Sequence, residues 1–135
     1  MKLSILSDGA SRGNPGPAGA GAILRDERGR VVREICQYLG FATNNQAEYA
    51  ALILALEAAM QMGADTVDVA LDSELVVRQL QGVYRVRSPD LAHYYRRTQS
   101  LLAQLKSASV RHVPREHNLQ ADLLANRAID QLAGT

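Results

Sequence analysis

Cysteine occurs once in this sequence, at Cys36, and tryptophan does not occur at all. A single thiol excludes an intrachain disulfide, a cysteine-ligated iron–sulfur cluster and a zinc knuckle; placed in the middle of an expected strand, Cys36 reads as a core side chain. Apolar runs are short, the longest being Tyr49 to Leu56, against the ~18 residues that a membrane span needs, so no membrane association is expected. The opening Met1-Lys2-Leu3-Ser4 has neither the long apolar stretch nor the small-residue cleavage site of a secretory signal. Repeats, low-complexity tracts and linkers are missing too. What is present is 135 residues, 47% apolar and 21% charged, the composition of one globular domain spanning 1–135 rather than of a disordered chain. These features leave a cytoplasmic enzyme or binding protein, expected to be monomeric.

Net charge is +1, but it is unevenly distributed. Between Leu75 and Arg115 there are eight basic residues and a single acid, Asp90, whereas the rest of the chain holds seven basic and thirteen acidic residues. Lysine is scarce: thirteen of the fifteen basic residues are arginine, the side chain suited to bidentate phosphate contacts. A basic sector of this kind fits a polyanionic ligand, and equally fits a solvated helix face.

Periodicity and turn residues divide the chain into elements. Lys2–Asp8 is an expected strand, and Gly9–Gly19 a turn cluster of Gly, Asn, Pro and Ser. Ala20–Arg25 and Arg30–Leu39 are two further strands joined by the turn Glu27-Arg28-Gly29, forming an antiparallel meander with the first. Asn44 to Met62 is a helix, with Ala51, Ala55, Ala58, Ala59 and Met62 at three- and four-residue intervals and Gly63 after its end. Thr66–Leu71 alternates as a strand, Ser73–Leu80 is helical, and Pro89 opens a helix through Leu105. Ala108–Val113 is a strand, and Asn118 an expected N-cap for a last helix carrying Leu119, Leu124, Ala125, Ala128, Ile129 and Leu132. The order βββαβααβα predicts an α/β fold: a five-stranded mixed sheet, three antiparallel strands then parallel ones, with helices on both faces. Helical crossovers make the first and fourth strands parallel neighbours.

That topology brings acids together. Asp8 ends the first strand and Asp72 the fourth, so both carboxylates leave the same edge of the sheet, where open α/β sheets bind ligands. Glu48 lies early in the helix that follows the third strand, sharing a face with Ala51, Leu52 and Ala55. Asp122 lies in the first turn of the last helix. Singly, each has an ordinary explanation as a turn residue, a cap or a partner of the helix dipole. Together, four carboxylates without interleaved cations repel one another unless metal ions neutralise them. All-oxygen ligands select Mg²⁺ or Mn²⁺ over zinc, and two such ions ~4 Å apart suit in-line displacement at a phosphodiester.

Asp8-Gly9-Ala10-Ser11-Arg12-Gly13-Asn14-Pro15-Gly16-Pro17-Ala18-Gly19 resembles the first motif of the ribonuclease HI family. Thr43-Asn44-Asn45-Gln46-Ala47-Glu48, Asp72-Ser73 and Ala121-Asp122-Leu123-Leu124-Ala125-Asn126 resemble its other motifs, in the same order and across nearly the whole chain. The resemblance implies a ribonuclease H-like fold and endonucleolytic cleavage of the RNA strand of RNA–DNA hybrids. It makes Asp8, Glu48, Asp72 and Asp122 the metal-binding, catalytic carboxylates. On the substrate side it places Gly9, Ser11, Arg12, Asn14, Asn44, Asn45, Gln46 and Ser73. Neutral amides among these can both donate to and accept from the 2′-hydroxyls that an A-form-like minor groove displays.

Two departures from the family pattern stand out. Many members carry a mobile histidine, linked to product release, on a longer loop about ten residues before the last acid. Here His117 precedes Asp122 by five, in the turn Pro114-Arg115-Glu116-His117-Asn118; His117 is the candidate for that role, with Arg115 and Glu116 as substitutes. Some members also have a Lys- and Trp-rich protrusion that grips the DNA strand. Here only Gly82-Val83-Tyr84-Arg85-Val86-Arg87 stands at that place, as in the compact type, and Tyr84, Arg85 and Arg87 are candidates for a reduced phosphate contact. A non-catalytic hybrid-binding module is the alternative function, and cleavage of double-stranded RNA a further activity left open. A proofreading-type exonuclease would want an acid where Ala10 stands, and a sugar-kinase-like ATPase needs duplicated domains.

Overall fold

Three strands follow one another from the N-terminus: β1 (Lys2–Ser11), β2 (Gly16–Arg25) and β3 (Val31–Ala42). Then come α1 (Asn44–Gln61), β4 (Thr66–Leu71), α2 (Glu74–Leu80), α3 (Pro89–Ala103), β5 (Ser107–His112), a 3-10 turn over Arg115–His117, and α4 (Leu119–Ala133). The computed structural model describes residues 1–133. The element order is the expected βββαβααβα. The five strands form one sheet in the order β3-β2-β1-β4-β5, with β1–β2 and β2–β3 antiparallel and β1–β4 and β4–β5 parallel.

The first hairpin departs from expectation. Asp8 does not end β1, which runs on to Ser11, and β2 begins at Gly16 rather than Ala20. The glycines read as turn residues are mostly strand residues. Their role is close approach, shared with Gly21 of the expected second strand: a Cβ at Gly9 would lie 2.1 Å from the Ala47 carbonyl carbon of α1, and one at Gly21 would lie 2.2 Å from the Ala121 oxygen of α4. Gly9 pairs with Ala20 and Gly21 with Asp8, and successive strand residues face opposite ways. Helix α1 therefore covers one face of the sheet, and α4 presses on the other, the face toward which Asp8 points.

The main core lies between the sheet and α1, where Leu3, Ile5, Leu52, Leu56, Val67, Val69 and Leu71 are essentially inaccessible to solvent. Tyr49 is also fully buried, its hydroxyl donating to Gln79 Oε1 at 2.6 Å. On the opposite face Leu124, Ala125, Ala128 and Ile129 anchor α4. Cys36, expected in the core, is exposed: β3 is an outer strand with only Ile35 and Ala42 buried. No helix among the described residues is long and apolar enough to cross a membrane.

Candidate active site

Helix α1 starts with a capping box. The Thr43 hydroxyl accepts from the Gln46 N–H at 3.2 Å, and Gln46 Oε1 accepts from the Thr43 N–H at 2.9 Å. This fixes the first turn, and the absent side chain at Gly9 lets that turn lie against β1. Glu48 is thereby lowered onto the strand, where the Gly9 N–H donates to its carboxylate. The parallel register Leu6–Ala70, continued by two residues, sets Asp8 level with Asp72, the residue after β4.

One oxygen from each of Asp8, Glu48 and Asp72 lies within 4.8 Å of the others. Asp8 and Glu48 are about 5% and 6% exposed, and Asp72 is half-buried. Asp122 stands outside this tight trio but beside it: its carboxylate hydrogen-bonds Asp8, and all four acids line one open cleft of about 320 Å³. Burial pushes the Asp8 carboxyl far above the usual carboxylate range, with repulsion from Glu48 and Asp72 adding to it. Glu48 is raised to about 7 by burial, the Asp8 and Gly9 hydrogen bonds acting against that rise and repulsion from Asp72 and Asp122 reinforcing it. Burial without a compensating cation destabilises the ionised forms, so both Asp8 and Glu48 are held toward protonation.

The donor set fits a hard divalent cation. Glu48 Oε2 is buried with no hydrogen-bond partner, and among the described residues no Lys or Arg pairs with any of the four acids. A clustered, all-oxygen set with an unpartnered buried oxygen suits Mg²⁺ or Mn²⁺ rather than a thiolate- or imidazole-seeking metal.

The expected substrate-side residues fall into two groups. Gly9, Ser11 and Asn44 line the cleft, and Asn14 adjoins them, its Oδ1 accepting from the Asn44 N–H at 3.2 Å. Asn45 is half-buried in the first turn of α1. Several side chains of the motifs, Ser11 included, are engaged in structure. Gln46 serves the capping box, Ser11 donates to the Ala42 carbonyl (2.8 Å) and lies against that of Gly13, and Ser73 caps α2 by accepting from Val76 N–H. Arg12 turns away to α4, pairing with Asp130 at 2.6 Å and reaching Asn126 at 3.4 Å. Tyr84, Arg85 and Arg87 stand exposed in the segment between α2 and α3, away from the cleft lining. His117 is exposed, and it is Arg115 that lines the cleft. Two residues not expected at the site, Asn126 and the expected N-cap Asn118, also reach the acids. Asn126 lines the cleft and donates to Asp122 Oδ1 at 3.2 Å, and Asn118 donates to Asp72 Oδ1 at 3.0 Å instead of capping α4.

A mixed sheet whose parallel strands split beneath a carboxylate trio, with a fourth acid from the last helix, defines a ribonuclease H-like protein. The family model described as reverse transcriptase-like matches residues 6–128. A Halobacterium salinarum protein named ribonuclease HI is 50% identical over 129 residues, 96% of this chain and 65% of that one. The crystal structure of RNase H1 from that organism superposes with a TM-score of 0.95 at 46% identity, covering 97% of this chain and 99% of the other. LC11-RNase H1, in a crystal structure with an RNA/DNA hybrid, is 43% identical with a TM-score of 0.90, covering 96% and 97% of the two chains. A bifunctional protein of Mycobacterium tuberculosis is 46% identical over 98% of this chain but only 37% of its own length, so this chain spans about a third of that relative. The chain belongs to the ribonuclease HI family.

Proposed function

We propose that this chain is an endoribonuclease that hydrolyses the RNA strand of RNA–DNA hybrids, using two divalent ions held by Asp8, Glu48, Asp72 and Asp122. The observation that carries the reading is the trio of Asp8, Glu48 and Asp72, two buried and one half-buried, with Glu48 Oε2 unpartnered and, among the described residues, no Lys or Arg paired to any of the four acids. A binding module gains nothing from carboxylates that repel one another, whereas a metal-dependent nuclease needs them. The family's dependence on divalent metal and the hybrid bound by LC11-RNase H1 accord with this. Mg²⁺ or Mn²⁺ bound there would activate the attacking water and offset charge on the leaving oxygen.

The chain's own residues divide the remaining work. Asp8, at the centre of the hydrogen-bonded acids, orients Glu48 and Asp122 about itself. The Asn14–Asn44 pair and Asn45, at the α1 end of the cleft, offer amides suited to ribose hydroxyls of a minor groove. Arg85 and Arg87, with Tyr84, supply a phosphate contact for the second strand, and Arg115, with His117 two residues on in the same turn, stands where product leaves. All four acids come from one chain, so a monomer is sufficient. A lone exposed thiol, Cys36, accords with a reducing, cytoplasmic setting.

The test is incubation with end-labelled RNA–DNA, RNA–RNA and DNA–DNA duplexes in Mg²⁺, Mn²⁺ or chelator. Internal cuts in the RNA strand of the hybrid, abolished by chelator, are expected. Cutting of RNA–RNA in Mn²⁺ would extend the substrate range to double-stranded RNA. Metal-dependent binding without cleavage would leave the hybrid-binding module as the reading.

A further inference from the structure

The parallel ladder between β1 and β4 stops at Leu6 and Ala70, and Asp8 and Asp72 stand just past that point. Asn118 bridges the gap. Its backbone is held on both sides: the Asn118 N–H donates to the Arg115 carbonyl at 2.9 Å, and the Asn118 carbonyl accepts from the Asp122 N–H at 3.1 Å. The residue is 1% exposed, and its Nδ2 donates to the Ser7 carbonyl of β1 at 2.8 Å and to Asp72 Oδ1 at 3.0 Å. Both amide protons are used. The two acceptors also fix which way round the amide lies, because a flipped group would set oxygen against oxygen. The amide oxygen, by contrast, is buried without a partner, so the side chain does not cap α4. A buried, half-satisfied amide is unfavourable for stability, and what justifies it here is the work of its nitrogen.

We infer that Asn118 is a positioning residue for Asp72, tying that carboxylate to the backbone of β1 and so fixing the spacing of Asp8 and Asp72 before any ion arrives. The inference rests on the metal-binding reading above. A neutral donor suits this position because it orients the carboxylate without cancelling the charge that attracts a cation, as Lys or Arg would. It holds one oxygen, Oδ1, and it is carried on the same turn that leads into the helix bearing Asp122, so one segment sets two of the four acids.

The test compares wild type with Asn118→Ala, Asn118→Asp and Leu101→Ala, the last a buried α3 side chain outside the cleft lining. Three quantities are measured: Mg²⁺ uptake by hybrid-free protein in a calorimeter, melting in chelator, and steady-state kinetics on a hybrid. Asn118→Ala is expected to weaken Mg²⁺ binding and lower kcat, each by about 10–100-fold, with KM for hybrid within about twofold of wild type. Leu101→Ala is expected to melt at least as early while keeping wild-type Mg²⁺ affinity and kcat. Asn118→Asp adds charge but no donor, so its kcat at saturating Mg²⁺ stays as low as that of Asn118→Ala. Wild-type Mg²⁺ affinity and kcat in Asn118→Ala, wild-type kcat in Asn118→Asp, or equal losses in Leu101→Ala would each overturn the inference. Wild type taking up no Mg²⁺ would overturn the metal reading, and the inference with it.

Discussion

The carboxyl groups of Asp8 and Glu48 are hydrogen-bonded to one another, both buried, with Asp72 completing a trio of ligand oxygens within 4.8 Å. Without a cation the pair keeps a proton that the unfolded chain releases at ordinary values, 3.8 for Asp8 and 4.5 for Glu48. A folded state that binds more protons than the unfolded one loses stability as pH rises. Metal-free protein is therefore expected to melt progressively earlier, relative to Asp8→Asn, as pH is raised from 3.8 to about 7, where burial places Glu48, and onward, since Asp8 is raised further still; added Mg²⁺ restores the loss. Asp26 and Asp65 are shifted the other way, by hydrogen bonds from the Arg30 backbone and the N-terminal amine respectively, so their contributions are lost only as pH falls below that window. Melting curves in chelator decide the matter, and a slope equal in wild type and Asp8→Asn contradicts a raised Asp8 carboxyl.

Removing one ligand separates catalysis from folding. Asp72→Asn is expected to lower hybrid cleavage on the order of a thousandfold. The same variant melts in chelator at or slightly above the wild-type temperature, because one repelling charge is gone. Activity assays and calorimetry on one preparation check both, and full activity in this variant removes Asp72 from the metal site.

The place of Glu48 depends on an atom that is not there. A methyl group at Gly9 would meet the Ala47 backbone at 2.1 Å, so Gly9→Ala must push α1 off β1. A loss of about 3 kcal/mol in urea denaturation is expected, at the upper end of ordinary overpacking, together with a marked fall in cleavage as Glu48 moves. Gly29→Ala, with nothing within 4 Å of its new methyl and only a φ of +78° to strain it, is the control expected to lose roughly 1 kcal/mol and no activity.

Arg85 and Arg87 are exposed between α2 and α3. If they meet phosphates, replacing both with glutamine weakens binding to all hybrids alike and reduces the slope of log affinity against log salt by about one to two. Cleavage positions stay unchanged, since phosphate contacts place a duplex without reading its bases. Filter binding at four salt concentrations measures this, and an unaltered slope takes the two arginines off the phosphate path.

Element order, the parallel pairing of β1 with β4 and the meeting of the acids were all legible in the sequence. Hydrophobic periodicity and crossover geometry determine the first two, and the third follows from them. The Gly-rich hairpin was misleading because glycine serves two ends. Flexibility in turns and close approach in strands look alike in one dimension, and only the positions of α1 and α4 reveal that Gly9 and Gly19 are strand residues. Arg12, Ser11, Gln46 and Ser73 stand in motifs aimed at substrate, yet their side chains hold α4, the first hairpin and the starts of α1 and α2. Thr43-x-x-Gln46 did carry a readable signal, the capping box. Asn118 carried none beyond its capping propensity, because its partners, Ser7 and Asp72, are remote in sequence.

The most direct measurement is titration of hybrid-free protein with Mn²⁺, following the free ion by electron paramagnetic resonance. Saturable uptake in wild type, lost in Asp8→Asn and competed by Mg²⁺, is the result these acids predict. Uptake that never saturates, or that Asp8→Asn leaves undiminished, would contradict a metal centre built on this trio.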